Sequence, residues 1–399
     1  MASDEAPKLK DGIAAYRDGR YAQAATCLEQ ALDKAQAEKS QMHLLYTLNL
    51  WLGEINLALA HLAQAEKLWA GADACEQKKL EDNGSSDLDL ESLGARLLAL
   101  QDKHDESEAA AKALLVQAKE IFGSESLPAA SSFNTLGVVL DQAGKTQEAT
   151  VVLRRALSIR ERILGTDSLP YAQSLTNLAL NYARENNVTS AEALCKRALA
   201  VREKHLREAH PLIGYSLHHL AAQILRQGHA DQSYDYFSRA LRIFEKELPE
   251  NHPQIGSTLN GLGSAAIAMK RFDQAQELFE RALKIAEAEE RRSDINILSA
   301  ASGLGLAYLS QNQFSKAEPH IKRALRLVED SHQLQAAAEK GLLDRLMVCY
   351  VLQGKFVDAI RLYPDSMRAS HTSDFETVIE LFKMVGKLAQ RHLGPKDDA

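Results

Sequence analysis

Large and small apolar residues recur along this chain at helical spacing, and the recurrence itself repeats. In Leu304-Gly305-x-x-Tyr308 a large, a small and an aromatic residue share one helical face, and Ala275-x-x-x-Phe279-x-x-Ala282 does the same on a second helix. A turn carrying Gly19, Gly144, Gly228 or Gly354 falls between such helices and ends the first of them. The pattern predicts a helix hairpin whose small positions let two backbones approach closely.

Three series of such positions run through the chain. One is Ala31, Ala72, Leu114, Ala156, Ala198, Ala240, Ala282, Ala324 and Ser366, with a first step of 41 residues and later steps of 42. Seven residues upstream lie Ala24, Ala65, Ser107, Ala149, Ala191, Ser233, Ala275, Ala317 and Ala359. Further upstream lie Gly12, Gly53, Ala95, Gly137, Ala179, Ala221, Gly263 and Gly305, and Met347 breaks that series. A hairpin of this kind cannot cover its own apolar face, so a fixed period predicts stacked units with a shared core. The expected fold is all-α, a right-handed superhelical solenoid of about nine hairpins. The array spans 5–366, with repeats at about 5–40, 46–80, 88–124, 129–166, 170–207, 211–248, 253–290, 297–331 and 339–370.

The connectors are regular too. Gly123-Ser-Glu-Ser-Leu-Pro128, Gly165-Thr-Asp-Ser-Leu-Pro170, Glu208-Ala-His-Pro211 and Glu250-Asn-His-Pro253 each place proline at the first turn of a helix, where its missing N–H has no partner to lose. The acidic stretch 81–87 keeps the register and is expected to be a polar connector. After the ninth unit, Phe375, Val378, Ile379, Phe382, Val385 and Leu388 form an apolar stripe, preceded by Ser373 and Asp374. A capping helix over 373–393 is expected there, which would complete the array.

The wording of the central repeats is specific. Arg155-Ala-Leu-Ser-Ile-Arg-Glu161, Arg197-Ala-Leu-Ala-Val-Arg-Glu203, Arg239-Ala-Leu-Arg-Ile-Phe-Glu245 and Arg281-Ala-Leu-Lys-Ile-Ala-Glu287 follow one another at 42 residues. Together with Leu-Gly/Ala-x-x-Tyr and Ala-x-x-x-Phe/Leu, this resembles the tetratricopeptide repeat, in the 42-residue form of kinesin light chains and similar bacterial proteins. The resemblance is strong from Ala113 to Leu327. Kinesin light chains carry a coiled coil before their repeats, and this chain opens directly on its first repeat, so a motor subunit is not expected. The family's Asn-Asn pair is replaced by Asn134-Thr135, Thr176-Asn177, His218-His219 and Asn260-Gly261.

The resemblance implies that first helices line a concave surface. The residues facing it grade from amides and hydroxyls to aliphatic groups, a mixture that suits a peptide with its main chain held by polar groups. The candidate peptide-binding residues are Asn134, Thr176, Leu180, Tyr215, His218, Leu225, Asn260, Ile267 and Ser302. A non-catalytic adaptor or scaffold binding a protein or peptide partner is the reading this supports. Two alternatives stand beside it. One is self-association through the first repeat, whose groove positions Ala6, Leu9, Ile13 and Tyr16 are apolar, giving a homo-oligomer. The other is a regulatory sensor of a signalling peptide.

Charge and composition narrow the classes further. A net charge of -7 and a pI near 6.0 argue against nucleic acid. Cys27, Cys75, Cys195 and Cys349 lie far apart with no Cys-x-x-Cys, so they read as core residues of a reducing compartment, and neither metal nor cofactor is expected. No apolar run is long enough to insert in a membrane and no leader pattern opens the chain, so the expected location is cytoplasmic. Gly144-Lys145-Thr146 resembles the end of a phosphate loop, but Val139 stands where that loop needs glycine. His218 and His219 are adjacent and are expected to point to different faces, which makes them a weak metal pair. Arginine-rich tails such as Arg160-Glu-Arg162 read as solvated faces.

Overall fold

The computed structural model describes residues 5–37, 42–83, 88–288, 294–329 and 336–369. Eighteen helices fill them, and among the described residues there is no strand. They follow in pairs: α1 (Glu5–Arg17) and α2 (Tyr21–Ala37), α3 (Met42–Ala58) and α4 (Leu62–Asn83), α5 (Leu88–Leu100) and α6 (His104–Phe122), α7 (Leu127–Gln142) and α8 (Thr146–Leu164), α9 (Leu169–Arg184) and α10 (Val188–His205). The remaining pairs are α11 (Pro211–Arg226) and α12 (Ala230–Glu247), α13 (Pro253–Ala268) and α14 (Phe272–Ala288), α15 (Asp294–Ser310) and α16 (Phe314–Glu329), α17 (Ala336–Leu352) and α18 (Phe356–Ala369). The described residues thus form nine helix hairpins, and the fold is all-α. It divides into two compact units, Met1–Thr258 and Leu259–Ala399. The cap expected over 373–393 lies outside the described residues.

Each hairpin is held by the contact its small residues permit. Ala24, Ala65, Ser107, Ala149, Ala191, Ser233, Ala275 and Ala317 are fully buried. A Cβ on Gly137 would sit 2.5 Å from the Leu153 side chain, closer than carbon atoms pack, so only glycine lets α8 lie this near α7. Where the series changes to serine, the hydroxyl finds a partner across the hairpin: Ser107 donates to the Ala95 carbonyl and Ser233 to the Ala221 carbonyl, each at 2.8 Å. The tight turn recurs in every unit. Gly19, Ala60, Asp102, Gly144, Asn186, Gly228, Lys270, Asn312 and Gly354 all have positive φ, so glycine marks the position without being required at it.

The arginine tails are not all solvated. Arg160 and Arg202, one period apart on α8 and α10, are buried at 5% and 4% exposure. Arg160 donates to the Pro170 carbonyl at 2.8 Å and the Ser174 hydroxyl at 2.9 Å, and Arg202 to the Leu212 carbonyl at 3.2 Å and the Ser216 hydroxyl at 2.5 Å. Each guanidinium therefore clamps the first turn of the next hairpin's first helix. Burial pulls both down to about 10. Phe244 occupies the same place one period later and is fully buried, so an apolar group can substitute.

Unit 1 also folds back on itself. The turn after α1 reaches the connector before α11, where the His210 ring meets the Arg17 carbonyl at 3.0 Å and Arg207 donates to the Asp18 carbonyl at 2.5 Å. The turn after α3 reaches the connector before α13, where the His252 ring meets the Ala58 carbonyl at 3.2 Å. The apolar first repeat has a role within the chain, since the Tyr16 ring packs 5.4 Å from Tyr21 and 5.6 Å from Trp51.

The arginine clamp makes a prediction. Replacing Arg202 by Ala leaves the Ser216 hydroxyl and the Leu212 carbonyl without their charged donor, an expected loss of about 2 kcal/mol in chemical denaturation. Arg162→Ala, at an exposed neighbouring position, leaves the urea midpoint unchanged; equal midpoints for the two variants would refute the clamp.

Candidate functional site

Within unit 1 the first helices of successive hairpins run side by side, which brings the paired positions near residues 134, 176 and 218 into line. In unit 1 these side chains bond to one another. Asn177 donates to the Asn134 Oδ1 at 3.0 Å, and Ser92 and Thr135 share a hydroxyl hydrogen bond at 2.9 Å. Thr176 is buried and donates to the Ala172 carbonyl at 3.1 Å. His218 Nδ1 lies 3.0 Å from the Thr258 hydroxyl. Two of the unit 1 residues expected to hold a peptide, Asn134 and His218, are thus rungs of a ladder between neighbouring helices, and Thr176 is bonded within its own helix. Leu180 and Leu225 are half-buried on the same row.

Aromatic packing fixes the middle of this row. The Tyr215 ring meets Phe244 edge-on at 5.1 Å, and the His218 ring meets Phe237 at 5.3 Å. His218 and His219 do not diverge to separate faces; their rings touch edge-to-face at 5.2 Å. Both keep part of their surface open, yet they lie deep within the protein of unit 1. Burial lowers His218 to about 4, and burial with the nearby His218 and Arg202 lowers His219 to about 3. Burial likewise pushes the Tyr215 hydroxyl far above its usual value. These rings are neutral hydrogen-bonding and packing groups at pH 7.

Unit 2 presents a different surface. Asn260 is buried and donates to the Asn296 carbonyl at 3.2 Å, so it too is engaged, although its Oδ1 has no partner. Beyond it opens a cavity of about 500 Å³ lined by Ser264 and Ile267 of α13, Phe279 of α14, Ser299, Ser302 and Leu306 of α15 and Arg345 of α17, among others. Ile267 and Ser302, both expected from the sequence, meet here. Phe279 forms the floor because Gly303 stands above it: a Cβ at that glycine would come 2.3 Å from the ring. Arg345 donates to the Ser302 hydroxyl at 2.8 Å, and burial lowers its guanidinium from the ordinary value. Its position continues the series Thr135, Asn177, His219, Gly261, Gly303, Arg345, in which Gly303 clears the space over Phe279 that the arginine borders. Sequence reasoning followed the concave row through the eighth repeat and missed Arg345 on the ninth. The signal was the change from side chain to glycine and then to a cation at one fixed position.

Other chemistry is structural. Among the described residues no group of three His, Cys, Asp or Glu side chains could hold a metal ion. Lys145, in the string resembling a phosphate loop, sits in the turn between α7 and α8 and pairs with Glu108 at 2.6 Å. Burial raises the Cys195 thiol to about 12, which removes it as a nucleophile. No helix among the described residues is long and apolar enough to cross a membrane.

Two family descriptions, both named tetratricopeptide repeat, match residues 93–161, 212–288 and 265–330, and residues 172–212. No curated protein matches the chain. Among solved structures, a Rap protein complexed with Competence and Sporulation Factor is similar with a TM-score of 0.60 at 16% identity, covering 93% of this chain and 98% of that one. The apo form of RapI is similar with a TM-score of 0.52 at 16% identity, covering 92% and 97%. A putative kinesin light chain with nearly identical TPR-like repeats, from Podosopora anserina, has a TM-score of 0.42 at 24% identity and covers 51% of this chain and 96% of its own. At these identities the likeness is one of fold.

The buried histidines set a pH dependence. His218 and His252, each lowered to about 4 chiefly by burial, bind fewer protons folded than unfolded between their folded values and the ordinary 6.5. Their contribution is complete above about pH 6.5 and is lost as pH falls through about 4. The melting temperature is expected to drop across that window, and less steeply in His218→Gln; identical slopes would contradict the buried, neutral assignment.

Proposed function

The chain belongs to the tetratricopeptide repeat family, and on that premise we propose that it is an adaptor that holds a peptide segment of a protein partner in the cavity of unit 2. The observation that carries the reading is the cavity bordered by Ile267, Phe279, Ser302 and Arg345. Its apolar floor takes side chains, its hydroxyls take main-chain groups, and its arginine takes charge. The Rap protein that is similar in fold was crystallised in complex with a partner, Competence and Sporulation Factor, which supports binding of a partner by this fold.

Arg345 narrows the peptide. A half-buried guanidinium bonded to a neutral hydroxyl gains most from a carboxylate, which returns the electrostatic stabilisation that desolvation removed. The preferred segment therefore sets an acidic side chain beside an aliphatic one. No catalytic role enters this reading, and the repeat family acts chiefly through protein interaction.

Panning a library of displayed twelve-residue peptides against the full chain tests the reading. Enriched sequences are expected to pair Asp or Glu with Leu, Ile or Val, and their binding to fall about tenfold or more in Arg345→Ala, as a lost charge-assisted bond of about 1.5–3 kcal/mol requires. Ile267→Asp should abolish it at unchanged helicity. Enriched peptides that bind both variants as well as the parent chain would sink the assignment of the cavity.

A further inference from the structure

Two contacts within unit 1 are built alike and lie one period apart. His210 and His252 each precede a helix-starting proline, Pro211 or Pro253. Each ring works at both nitrogens. Nδ1 of His210 accepts from the Leu212 backbone N–H at 3.1 Å, and Nδ1 of His252 from that of Gln254 at 3.1 Å, so each caps its own helix. A backbone N–H can only donate, so Nδ1 carries no proton and Nε2 carries one. Nε2 then donates across nearly two hundred residues of sequence, to the Arg17 carbonyl from His210 and to the Ala58 carbonyl from His252.

Both acceptors sit at the ends of first helices, where the last carbonyls lack intrahelical partners. The first contact is reinforced by Arg207, which donates to the Asp18 carbonyl at 2.5 Å while Glu247 holds its other nitrogens at 2.8 and 2.6 Å. Gly19 fits against the connector so closely that a Cβ would stand 2.4 Å from Pro211 Cδ. The fold-back brings Tyr21 of α2 within electrostatic reach of Tyr215 and Arg202. Tyr21, at the start of α2, thus stands beside Tyr215 on α11, the helix that also carries His218 and His219.

We propose that His210 and His252 are paired latches that hold the first two turns against the connectors before α11 and α13, and that His218 and His219 of α11 become more exposed to solvent when the latches part. The closure joins connectors to turns through the hydrogen bonds of His210, His252 and Arg207 and the packing of Gly19 on Pro211. Such contacts open at a lower free energy than the hairpins they join. The inference is independent of the cavity in unit 2.

The test is carbethoxylation of His218 and His219 by diethyl pyrocarbonate, read residue by residue by mass spectrometry in the full chain. In His210→Ala/His252→Ala the modification rate of both residues is expected to rise about tenfold or more, because it follows the open population. A second variant leaves both histidine caps intact. Gly19→Asn keeps the left-handed turn, which Asn186 and Asn312 adopt at the same position with φ 60° and 59°, yet its Cβ collides with Pro211. It should give the same rise at unchanged circular dichroism. Rates equal to those of the parent chain in both variants would overturn the latch. So would loss of helicity in both, which would make the contact part of the fold itself.

Discussion

The fold depends on how closely two helix backbones can approach inside one hairpin. Alanine, serine and glycine recur at the crossing because a larger side chain there would hold the helices apart and open voids along the whole interface. Once that distance is set, the large residues have fixed places. Leu153 lies against Gly137, Phe279 against Gly263 and Gly303, and Ile321 against Gly305. Because the same constraint returns every 42 residues, the shape of one hairpin decides how the next can stack on it.

Stacking in turn decides where polar side chains go. First helices lie near enough for side chains one period apart to bond, and a buried amide or hydroxyl that finds such a partner is stabilising, whereas one that does not is costly. Asn134 with Asn177 and His218 with Thr258 follow from this. These residues look like ligand contacts in the sequence because the resemblance assigns first-helix positions to a concave surface. The Asn134 Oδ1 and the His218 Nδ1 are nonetheless engaged by the chain, and truncation of either residue would be felt first as lost stability.

The sequence disclosed the hairpins well, because the crossing residues are short-range and periodic. The same small positions that align in the text are the fully buried ones in space. The turns were only half legible: glycine marked four of them, while Ala60, Asp102, Asn186, Lys270 and Asn312 adopt the same left-handed conformation without advertising it. Arg160 and Arg202 looked solvated since arginine usually is, and their burial depends on Ser174 and Ser216 of the following hairpin, a pairing no local window reveals. The return of the first two turns to His210 and His252 joins residues nearly two hundred apart. No periodicity encodes it, because it depends on how rotation accumulates from hairpin to hairpin. The candidate site was legible in part for the same reason: the row of positions could be read, but which members were already bonded could not.

One position then differs in bulk between the two units. Along Thr135, Asn177 and His219 it bears side chains that fill or bridge the space between first helices, and unit 1 is closed there. At Gly303 the side chain disappears, the Phe279 ring is uncovered as a floor, and at Arg345 a cation returns at the border. Removing a side chain at Gly303 makes room for a cavity without altering the crossing residues that hold the hairpins. A repeat array can therefore acquire a binding surface by local deletion of bulk while its architecture stays intact, which is why the recognition of a ligand is expected where the repeat is least faithful to itself.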